Sequence, residues 1–426
     1  MSEARGVQPT PADADRTRAR LSAAVLVYCV GVILFITLVP FRFEDSPTRA
    51  VLFTGELRDV VANLALFLPI GFLYPLSRPG PARRRAVEVV LLSCVLSMTI
   101  ETAQLFEHER YSSVLDVLTN TVGAAAGAAA LEWVRARLAR STIFPGRLSL
   151  ELPLMGLLYL LLPLLWLSAL SAGTELPRML LPVLVCCVGV RLWGVLYDHH
   201  FGPIAGVSPG TMRWIVAAWT LAGLAPALMV YPWTALTLPL LAAVAIRPAE
   251  RASVSGERRF EAVALRAALP ALLAYLVVLL ALPLVGPRGA PTFHWGFPTS
   301  HFSVTPLQQL RFLQAFAAVG VLGYVLAEVR GRSELPFRRV VGALALAASL
   351  FALPFELVRA AVPGLGFSAA EALLLLAAGP YGGWIYHLQR AHVRASAPAA
   401  EPVRKPREAG LGGAPAGLPV LGGELV

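Results

Sequence analysis

The chain has 426 residues, of which 57% are hydrophobic and only 15% are charged, and its mean hydropathy is +0.66. This composition excludes an ordinary soluble domain and predicts a polytopic membrane protein with an all-α fold, a transmembrane helical bundle. The formal net charge is +10, but Lys405 is the only lysine and the arginines stand in short clusters between apolar runs. That arrangement indicates membrane topology, and no nucleic-acid partner is predicted.

Apolar runs of about 17 to 20 residues, long enough to cross the roughly 30 Å hydrocarbon layer, predict about twelve spans. In chain order they lie at 21–39, 60–76, 87–106, 115–131, 152–170, 179–196, 213–229, 233–246, 263–283, 310–329, 340–358 and 368–387. The first run is longer than a signal-peptide core and lacks a small-x-small exit, so we interpret it as a retained span. The eighth run is short, and Tyr231, Pro232 and Trp233 mark its boundary with the seventh.

Arginine clusters predict the orientation of the spans, because cytoplasmic loops are enriched in basic residues. With twelve spans, all of the clusters fall on one side: Arg16, Arg18 and Arg20; Arg83, Arg84 and Arg85; Arg135, Arg137 and Arg140; Arg247, Arg251, Arg258 and Arg259; Arg330, Arg332, Arg338 and Arg339; and Arg390, Arg394, Arg404 and Arg407. Both termini are therefore predicted to be cytoplasmic. The abundance of Ala, Arg, Gly and Pro at the expense of Lys suggests a bacterial source, and hence a multi-pass protein of the cytoplasmic (inner) membrane.

A set of polar residues in the first four spans predicts a site. Its members are Asn63, Glu101, Gln104, Arg110, Asp116 and Asn120, followed by Gly123 and Gly127. Glu101 and Gln104 share one face of the third span, and the residues from Asp116 to Gly127 follow a single stripe of the fourth. A carboxylate in an apolar run costs about 2.5 to 3.5 kcal/mol on insertion scales, so such residues mark a functional site by default. The six polar residues predict a ligand pocket that opens toward the outer leaflet.

These residues resemble a known family. The order of these residues is similar to the pattern of the VanZ-like family over roughly residues 25–135. Pro69 and Gly71 are part of the resemblance, as is the end of the first span at Val39, Pro40 and Phe41. That family is named for a membrane protein linked to resistance to glycopeptide antibiotics, notably teicoplanin. The resemblance implies a four-helix domain at 21–140 after a cytoplasmic leader at 1–20, and a role in the cell envelope. It implies no particular reaction.

The last four spans echo the first four. At a constant offset of 255 residues Glu101 matches Glu356, Gln104 matches Arg359, Ser113 matches Ser368, Asp116 matches Glu371 and Gly127 matches Gly382, while Gly71 and Gly323 match at a slightly different offset. We predict a degenerate repeat of the family domain at 263–390, after a middle four-helix segment at 150–247 and before a disordered cytoplasmic tail at 395–426. Chance similarity among Leu-, Ala- and Gly-rich helices is the alternative. Leu365 and Leu375 replace the arginine and the asparagine, so the first copy is expected to hold the working site.

Three functions are compatible with this site. In the leading hypothesis, the protein binds an amphipathic ligand at its outer face, either a lipid-linked cell-wall component or a glycopeptide. Arg110 would hold an anionic group of this ligand, and Glu101 and Asp116 would orient the ligand. The second is an intramembrane enzyme acting on a lipid head group, with Glu101 as general base and Arg110 as electrostatic stabiliser, although the sequence shows no nucleophile. The third is a transporter, although no helix has the paired Gly/Pro interruptions typical of a crossing path.

The same residues also have purely structural interpretations. Glu101 and Arg110 would form an ion pair that fixes a hairpin, Asp116 would favour the first turn of its helix, and Asn120 would bond a neighbouring helix. No cofactor and no metal is predicted, since Asp198, His199 and His200 are adjacent and cannot all face one ion. The four cysteines show no ligand spacing. His294 and His301 are interpreted as part of an interfacial aromatic segment, and Glu356, Arg359 and Glu371 as a remnant of the first site or a second pocket.

Overall fold

The computed structural model describes residues 11–39, 41, 43, 51, 53, 56–107, 111–139, 154–172, 176–198, 207–225, 257–285, 288–296, 306–331, 336–363 and 366–396. Within these residues the fold is a bundle of eleven α-helices with one very short sheet, which confirms the predicted all-α class. The predicted eighth span at 233–246 lies outside the described residues. So do the first ten residues of the predicted leader and the predicted tail from residue 397 onward.

The helices follow the predicted spans in order. They are α1 (Pro11–Leu38), α2 (Leu57–Ser77), α3 (Ala82–Leu105), α4 (Val114–Ala139), α5 (Met155–Ser171), α6 (Leu180–Leu196), α7 (Pro209–Leu224), α8 (Glu257–Ala281), α9 (Pro306–Gly331), α10 (Phe337–Ala360) and α11 (Ala369–Ser396). Short 3-10 helices lie at Leu176–Met179 and Leu282–Val285. Strands β1 (Phe293–His294) and β2 (Phe367–Ser368) pair in parallel, with Phe293 opposite Phe367. We call α1 to α4 the N-terminal unit and α8 to α11 the C-terminal unit.

Within the described residues, eight helical stretches are long and apolar enough to cross a membrane. They lie at Asp15–Leu38, Asp59–Ser77, Ala82–Leu105, Val114–Trp133, Pro177–Leu196, Ala268–Val285, Leu307–Val329 and Phe337–Ala360. The helix α5 is also apolar but has only 17 residues. An apolar stretch of this length is the signature of a transmembrane helix, and the chain is a membrane protein.

The helix α1 begins well before the first apolar run. Its early turns are hydrophilic, and a nitrogen of Arg18 lies 2.7 Å from a carboxylate oxygen of Asp15, three residues away. Arg16 pairs more loosely with Asp13, at 3.6 Å. Pairs at this spacing lie on one helix face and support helical structure. Hydropathy therefore predicts the apolar stretch of α1 and not the residue at which the helix begins.

Glycines set the contact between α2 and α4. A Cβ atom added at Gly71 would collide with the backbone carbonyl of Ala124, and one added at Gly127 would collide with the carbonyl oxygen of Leu68. A Cβ atom added at Gly123 would also lie too close to the backbone of Leu64. Such close approach of two backbones is what small residues allow in membrane helices, where packing and not the hydrophobic effect drives association. The polar residues on the same stripe of α4 are thereby held toward the helices of the bundle.

The contact between α9 and α11 has the same construction. A Cβ at Gly323 would collide with the backbone of Gly379, and one at Gly382 would collide with the carbonyl oxygen of Gly320. Gly71 and Gly127 lie on the second and fourth helices of the N-terminal unit, and Gly323 and Gly382 lie on the second and fourth helices of the C-terminal unit. Each unit therefore holds its second and fourth helices together through glycine.

The two units contact each other through α1 and α11. The hydroxyl of Tyr381 donates a hydrogen bond of 2.8 Å to the carbonyl oxygen of Ala24, and the rings of Tyr28 and Tyr381 lie 6.1 Å apart. Between the units, α5 is buried along nearly its whole length, with the indole of Trp166 donating to the carbonyl oxygen of Ala222. The core of the bundle is therefore continuous from one unit to the other.

Candidate ligand-binding site

The turn between α3 and α4 positions the first carboxylate. Glu101, in the last turns of α3, is 6% exposed and accepts a hydrogen bond of 2.7 Å from the backbone N–H of Ser113. Ser113 directly precedes α4, where a backbone N–H has no partner within the helix. One carboxylate oxygen thus fixes the entry into α4 from across the turn. Hydrogen bonds to a charged acceptor are about twice as strong as neutral ones.

Gln104 lies one turn further along the same face of α3. Its amide nitrogen donates a hydrogen bond of 2.8 Å to the carbonyl oxygen of Thr37 near the end of α1. Its amide oxygen Oε1 is buried and has no hydrogen-bond partner among the described residues. A buried polar atom without a partner is uncommon in folded proteins and calls for a specific explanation.

Asp116 brings a second carboxylate to the same region. It occupies the first turn of α4, where the helix dipole favours a negative charge. The side chain of Asn63 on α2 lies near this carboxylate. Both residues are only partly buried, so this part of the cluster is reachable from outside the bundle. The structure thus joins residues from α2 and α4 that lie far apart in the sequence.

Asn120 follows one turn after Asp116. It is 3% exposed, and its amide nitrogen donates a hydrogen bond of 2.9 Å to the hydroxyl of Ser97 on α3. Its amide oxygen Oδ1 is buried and has no hydrogen-bond partner in the part of the chain that the structure describes. The predicted interhelical hydrogen bond is therefore present, and it uses only half of the amide. Asn120 and Gln104 each leave one carbonyl-type acceptor unused within the bundle.

Five of the six predicted ligand residues therefore gather at one end of the N-terminal unit. They are Asn63, Glu101, Gln104, Asp116 and Asn120, and they come from α2, α3 and α4, while α1 contributes the carbonyl of Thr37. Arg110 lies outside the described residues. Thr37 and Ser97 could not be predicted as partners, because a backbone carbonyl and a serine on an apolar helix carry no signal that separates them from ordinary packing. We call these five side chains the N-terminal polar cluster.

A second buried cluster occupies the matching place in the C-terminal unit. Glu356 and Arg359 lie on α10 and Glu371 on α11, and all three are at most 5% exposed. A guanidinium nitrogen of Arg359 lies 2.8 Å from a carboxylate oxygen of Glu356 and also pairs with Glu371. Glu356 accepts a hydrogen bond of 3.1 Å from the backbone N–H of Ser368, which is the contact that Glu101 makes with Ser113.

The segment that precedes α9 in the chain contacts the start of α11 beside this second cluster. The hydroxyl of Ser368 donates to the carbonyl oxygen of Gly296 at 3.0 Å, and the backbone N–H of Phe367 donates to the carbonyl oxygen of Thr292 at 2.8 Å. Phe293 stacks on Phe367, and Trp295 is largely exposed beside it. The predicted aromatic segment is thus tied to the start of α11. His294 lies in β1, whereas His301 lies outside the described residues.

Of the three adjacent residues considered as metal ligands, only Asp198, which follows α6, lies within the described residues. His199 and His200 lie outside the described residues, and among the residues that are described no group of three His, Cys, Asp or Glu side chains could hold a metal ion.

An open groove of about 540 Å³ runs along another face of α3, lined by Val95, Met98, Thr99, Thr102, Ala103 and Phe106. None of the predicted ligand residues lines it, and its apolar walls belong to the surface that α3 turns outward.

The comparison with protein families agrees with the sequence-based resemblance. Residues 9–135 match the sequence model of the family described as VanZ/LLP1, which covers α1 to α3 and nearly all of α4. The predicted relation of the first four helices to this family is confirmed. No curated protein and no solved structure gives a significant match to the chain.

Proposed function

We propose that this chain is a bacterial cytoplasmic-membrane protein whose N-terminal polar cluster binds an amphipathic ligand of the cell envelope at the outer face. The ligand would be a lipid-linked cell-wall component or a glycopeptide. The VanZ/LLP1 match over residues 9–135 supports an envelope role, and a link to glycopeptide resistance, including resistance to teicoplanin, is part of the proposal.

The observation that carries this proposal is the pair of unused acceptors. Among the residues that the structure describes, Gln104 Oε1 and Asn120 Oδ1 are buried without partners, one turn from the carboxylates of Glu101 and Asp116 on the same two helices. Burying a polar group without a hydrogen bond costs about 1 to 3 kcal/mol in proteins, so a donor that reached these two acceptors would be stabilised there. A ligand with hydrogen-bond donors would satisfy both acceptors.

The position of the cluster favours an amphipathic ligand. Glu101 and Gln104 lie in the last turns of α3, at the opposite end from Arg83, Arg84 and Arg85 at its beginning. If basic loops are cytoplasmic, the cluster lies at the level of the outer head groups. Val114 and Leu118 on the outward side of α4 are exposed and apolar, so a ligand with a polar head and an apolar tail would meet matching surfaces there.

Arg110 completes the proposed site from the loop between α3 and α4. Its guanidinium would hold an anionic group of the ligand, such as a phosphate or a carboxylate, through paired hydrogen bonds. Glu101 and Asp116 would orient the bound head group.

The domain arrangement is part of the same proposal. The C-terminal unit would be a diverged second copy of the N-terminal unit in the same membrane orientation, and both termini would be cytoplasmic. The paired contacts Ser113 to Glu101 and Ser368 to Glu356 support the duplication, as do the matching glycine contacts. The middle helices would join the two copies into one bundle.

Mass spectrometry of the purified protein tests the proposal. Lipids and other amphipathic molecules are extracted from the wild type and from Glu101→Gln, which removes the charge but retains an acceptor for the Ser113 N–H. We expect a defined envelope molecule in the wild type and at least tenfold less of it in the variant, at equal amounts of folded protein. Equal retention by both proteins would overturn the proposed site.

Two further measurements separate the alternatives. Conversion of the retained molecule by purified wild type, lost in Glu101→Gln, would support the intramembrane enzyme. Accumulation of the molecule inside proteoliposomes would support the transporter. Binding without either outcome is what the proposed function predicts.

A further inference from the structure

Three arginines come together at the end of the N-terminal unit that is opposite to its polar cluster. Arg18 lies near the beginning of α1, Arg85 near the beginning of α3 and Arg135 near the end of α4. Arg18 and Arg135 lie near the guanidinium of Arg85, as does the carboxylate of Glu132. Three helices thereby bring three cations into one region. We call Arg18, Arg85 and Arg135 the arginine cluster.

Arg85 is held by backbone carbonyls. Its Nη1 donates hydrogen bonds of 2.9 and 3.4 Å to the carbonyl oxygens of Pro75 and Arg78, where α2 ends. Its Nε is buried, and no hydrogen-bond acceptor for this atom lies in the part of the chain that the structure describes. A guanidinium binds a phosphate through two parallel N–H groups along one edge. The edge of Arg85 that includes Nε is available for such a pair.

Arg18 offers a second donor of the same kind. Its Nη2 lies 2.7 Å from a carboxylate oxygen of Asp15, a side chain that is 70% exposed, and exposed pairs of this kind contribute little to stability. Its Nε is buried and, among the described residues, has no hydrogen-bond acceptor either. Arg135 is paired with Glu132 at 2.6 Å. Arg18 and Arg85 therefore contribute two buried N–H groups that can donate to a ligand.

Membrane topology alone does not require this arrangement. Cytoplasmic arginines orient a chain without contacting one another, and the neighbouring Arg83 and Arg84 are exposed. Guanidinium groups that lie near one another repel, and a buried N–H without an acceptor costs free energy. An anion between the arginines would reduce the repulsion and would accept hydrogen bonds from the two Nε–H groups.

We infer that the arginine cluster binds a phosphate group. A phosphate carries negative charge and several acceptor oxygens, which match the Nε–H groups of Arg18 and Arg85.

The position of the cluster favours an anionic phospholipid as the source of this phosphate. The cluster lies at the ends of the apolar stretches of α3 and α4, and Trp133, the last residue of the stretch in α4, is 61% exposed. Exposed tryptophans are typical of the head-group level of a membrane. Basic pockets between transmembrane helices on the cytoplasmic side bind anionic head groups, and the orientation proposed above places the cluster in the cytoplasmic leaflet.

Native mass spectrometry of the full-length protein in maltoside micelles tests the inference. Three probes are titrated in parallel: phosphatidylglycerol, diacylglycerol with the same acyl chains, and glycerol phosphate. Diacylglycerol lacks the phosphate and measures apolar binding alone. Glycerol phosphate lacks the acyl chains and measures binding from water. We expect the wild type to bind phosphatidylglycerol at least tenfold more tightly than diacylglycerol.

The matched variants separate the arginine cluster from general positive charge. Arg18→Gln and Arg85→Gln should each weaken the binding of phosphatidylglycerol at least fivefold. Arg84→Gln removes the same charge from an adjacent, exposed position and should change the binding less than twofold. Melting temperatures show whether each variant is folded. If Arg85→Gln does not fold, because α2 loses its contact with Arg85, the test is made with Arg18→Gln, whose described side-chain partner is the exposed Asp15.

The outcomes also identify the source of the phosphate. With binding that requires Arg18 and Arg85, equal affinity for glycerol phosphate and phosphatidylglycerol would place the natural phosphate in water, and preference for the lipid would place it in the membrane; either supports a phosphate site. Equal weakening by Arg84→Gln and Arg18→Gln would overturn the inference, because general positive charge would then explain the binding. So would equal affinity of the wild type for phosphatidylglycerol and diacylglycerol.

Discussion

The carboxylate of Glu101 accepts a hydrogen bond of 2.7 Å from the backbone N–H of Ser113, across the turn that joins α3 to α4. The contact holds the end of α3 against the beginning of α4 and thereby fixes the position of Asp116 in the first turn of α4. The same contact recurs between Glu356 and Ser368 in the C-terminal unit, at 3.1 Å. In both units a glutamate on one helix therefore sets the start of the following helix.

Replacing Glu101 separates its structural role from its charge. Glu101→Ala leaves the Ser113 N–H without its acceptor, and we expect it to lower the free energy of unfolding by about 2 kcal/mol, the typical range for a hydrogen bond to a charged group. Glu101→Gln retains an acceptor, so it should lower the free energy of unfolding by well under half of that amount. Thermal unfolding in micelles measures both. Equal destabilisation by the two variants would contradict this role for the carboxylate.

The glycine contact between α2 and α4 predicts a strong effect of one added methyl group. Gly71→Ala would place its Cβ against the backbone carbonyl of Ala124, which cannot move independently of its helix. We expect Gly71→Ala to lower the free energy of unfolding by about 1 to 3 kcal/mol, as overpacking does in other proteins. Gly31→Ala is the matched control, since a Cβ at Gly31 in α1 meets no atom within 4 Å. The control should be neutral or slightly stabilising, because alanine is the better helix former.

The C-terminal cluster predicts a characteristic pattern of losses. Arg359→Leu leaves Glu356 and Glu371 buried without their cation. We expect this variant to lower the free energy of unfolding by about 3 to 5 kcal/mol. The triple variant Arg359→Leu/Glu356→Gln/Glu371→Gln removes all three charges together and should recover more than half of that loss. Chemical denaturation of the three proteins gives the comparison. A triple variant as unstable as the single one would show that the ion pairs are not the main contribution.

The hydrogen bond between Asn120 and Ser97 predicts a modest coupling energy. A double-mutant cycle with Asn120→Ala and Ser97→Ala should give about 0.6 kcal/mol, since interhelical hydrogen bonds in membrane proteins average near that value. Asn120→Ala also removes the unused acceptor Oδ1 and should weaken ligand retention more than Ser97→Ala does. Equal retention in the two variants would show that Asn120 acts only in packing.

The sequence predicted the membrane fold well because hydropathy reports on lipid contact directly. The order of the helices and the partner-facing stripe of Gly123 and Gly127 follow from apolar length and from helical spacing. The start of α1 at Pro11 was not predictable in this way, because its first turns are helical without being apolar. Charge pairs at helical spacing, such as Arg18 with Asp15, were the available signal.

The residues of the N-terminal polar cluster could be predicted from the sequence, but their hydrogen-bond partners could not. An isolated carboxylate or amide in an apolar run is visible in the sequence, and so Glu101, Gln104, Asp116 and Asn120 could be named. Their partners could not, because the carbonyl of Thr37 and the hydroxyl of Ser97 reach the cluster only through the packing of α1 and α3. The use of Arg359 as an internal cation is likewise a matter of geometry, although its alignment with Gln104 marked the position.

The most direct test of the central claim is whether the N-terminal polar cluster is open to the extracytoplasmic side. Cysteine is introduced by Asn63→Cys after Cys29, Cys94, Cys186 and Cys187 have been replaced, and spheroplasts are treated with impermeant thiosulfonate reagents. Arg84→Cys, exposed at the opposite end of the N-terminal unit, is the matched control. We predict that Asn63→Cys is modified in spheroplasts, faster by a trimethylammonium reagent than by a sulfonate reagent, and that Arg84→Cys is modified only in inverted vesicles. Modification of Asn63→Cys only in inverted vesicles would contradict the account.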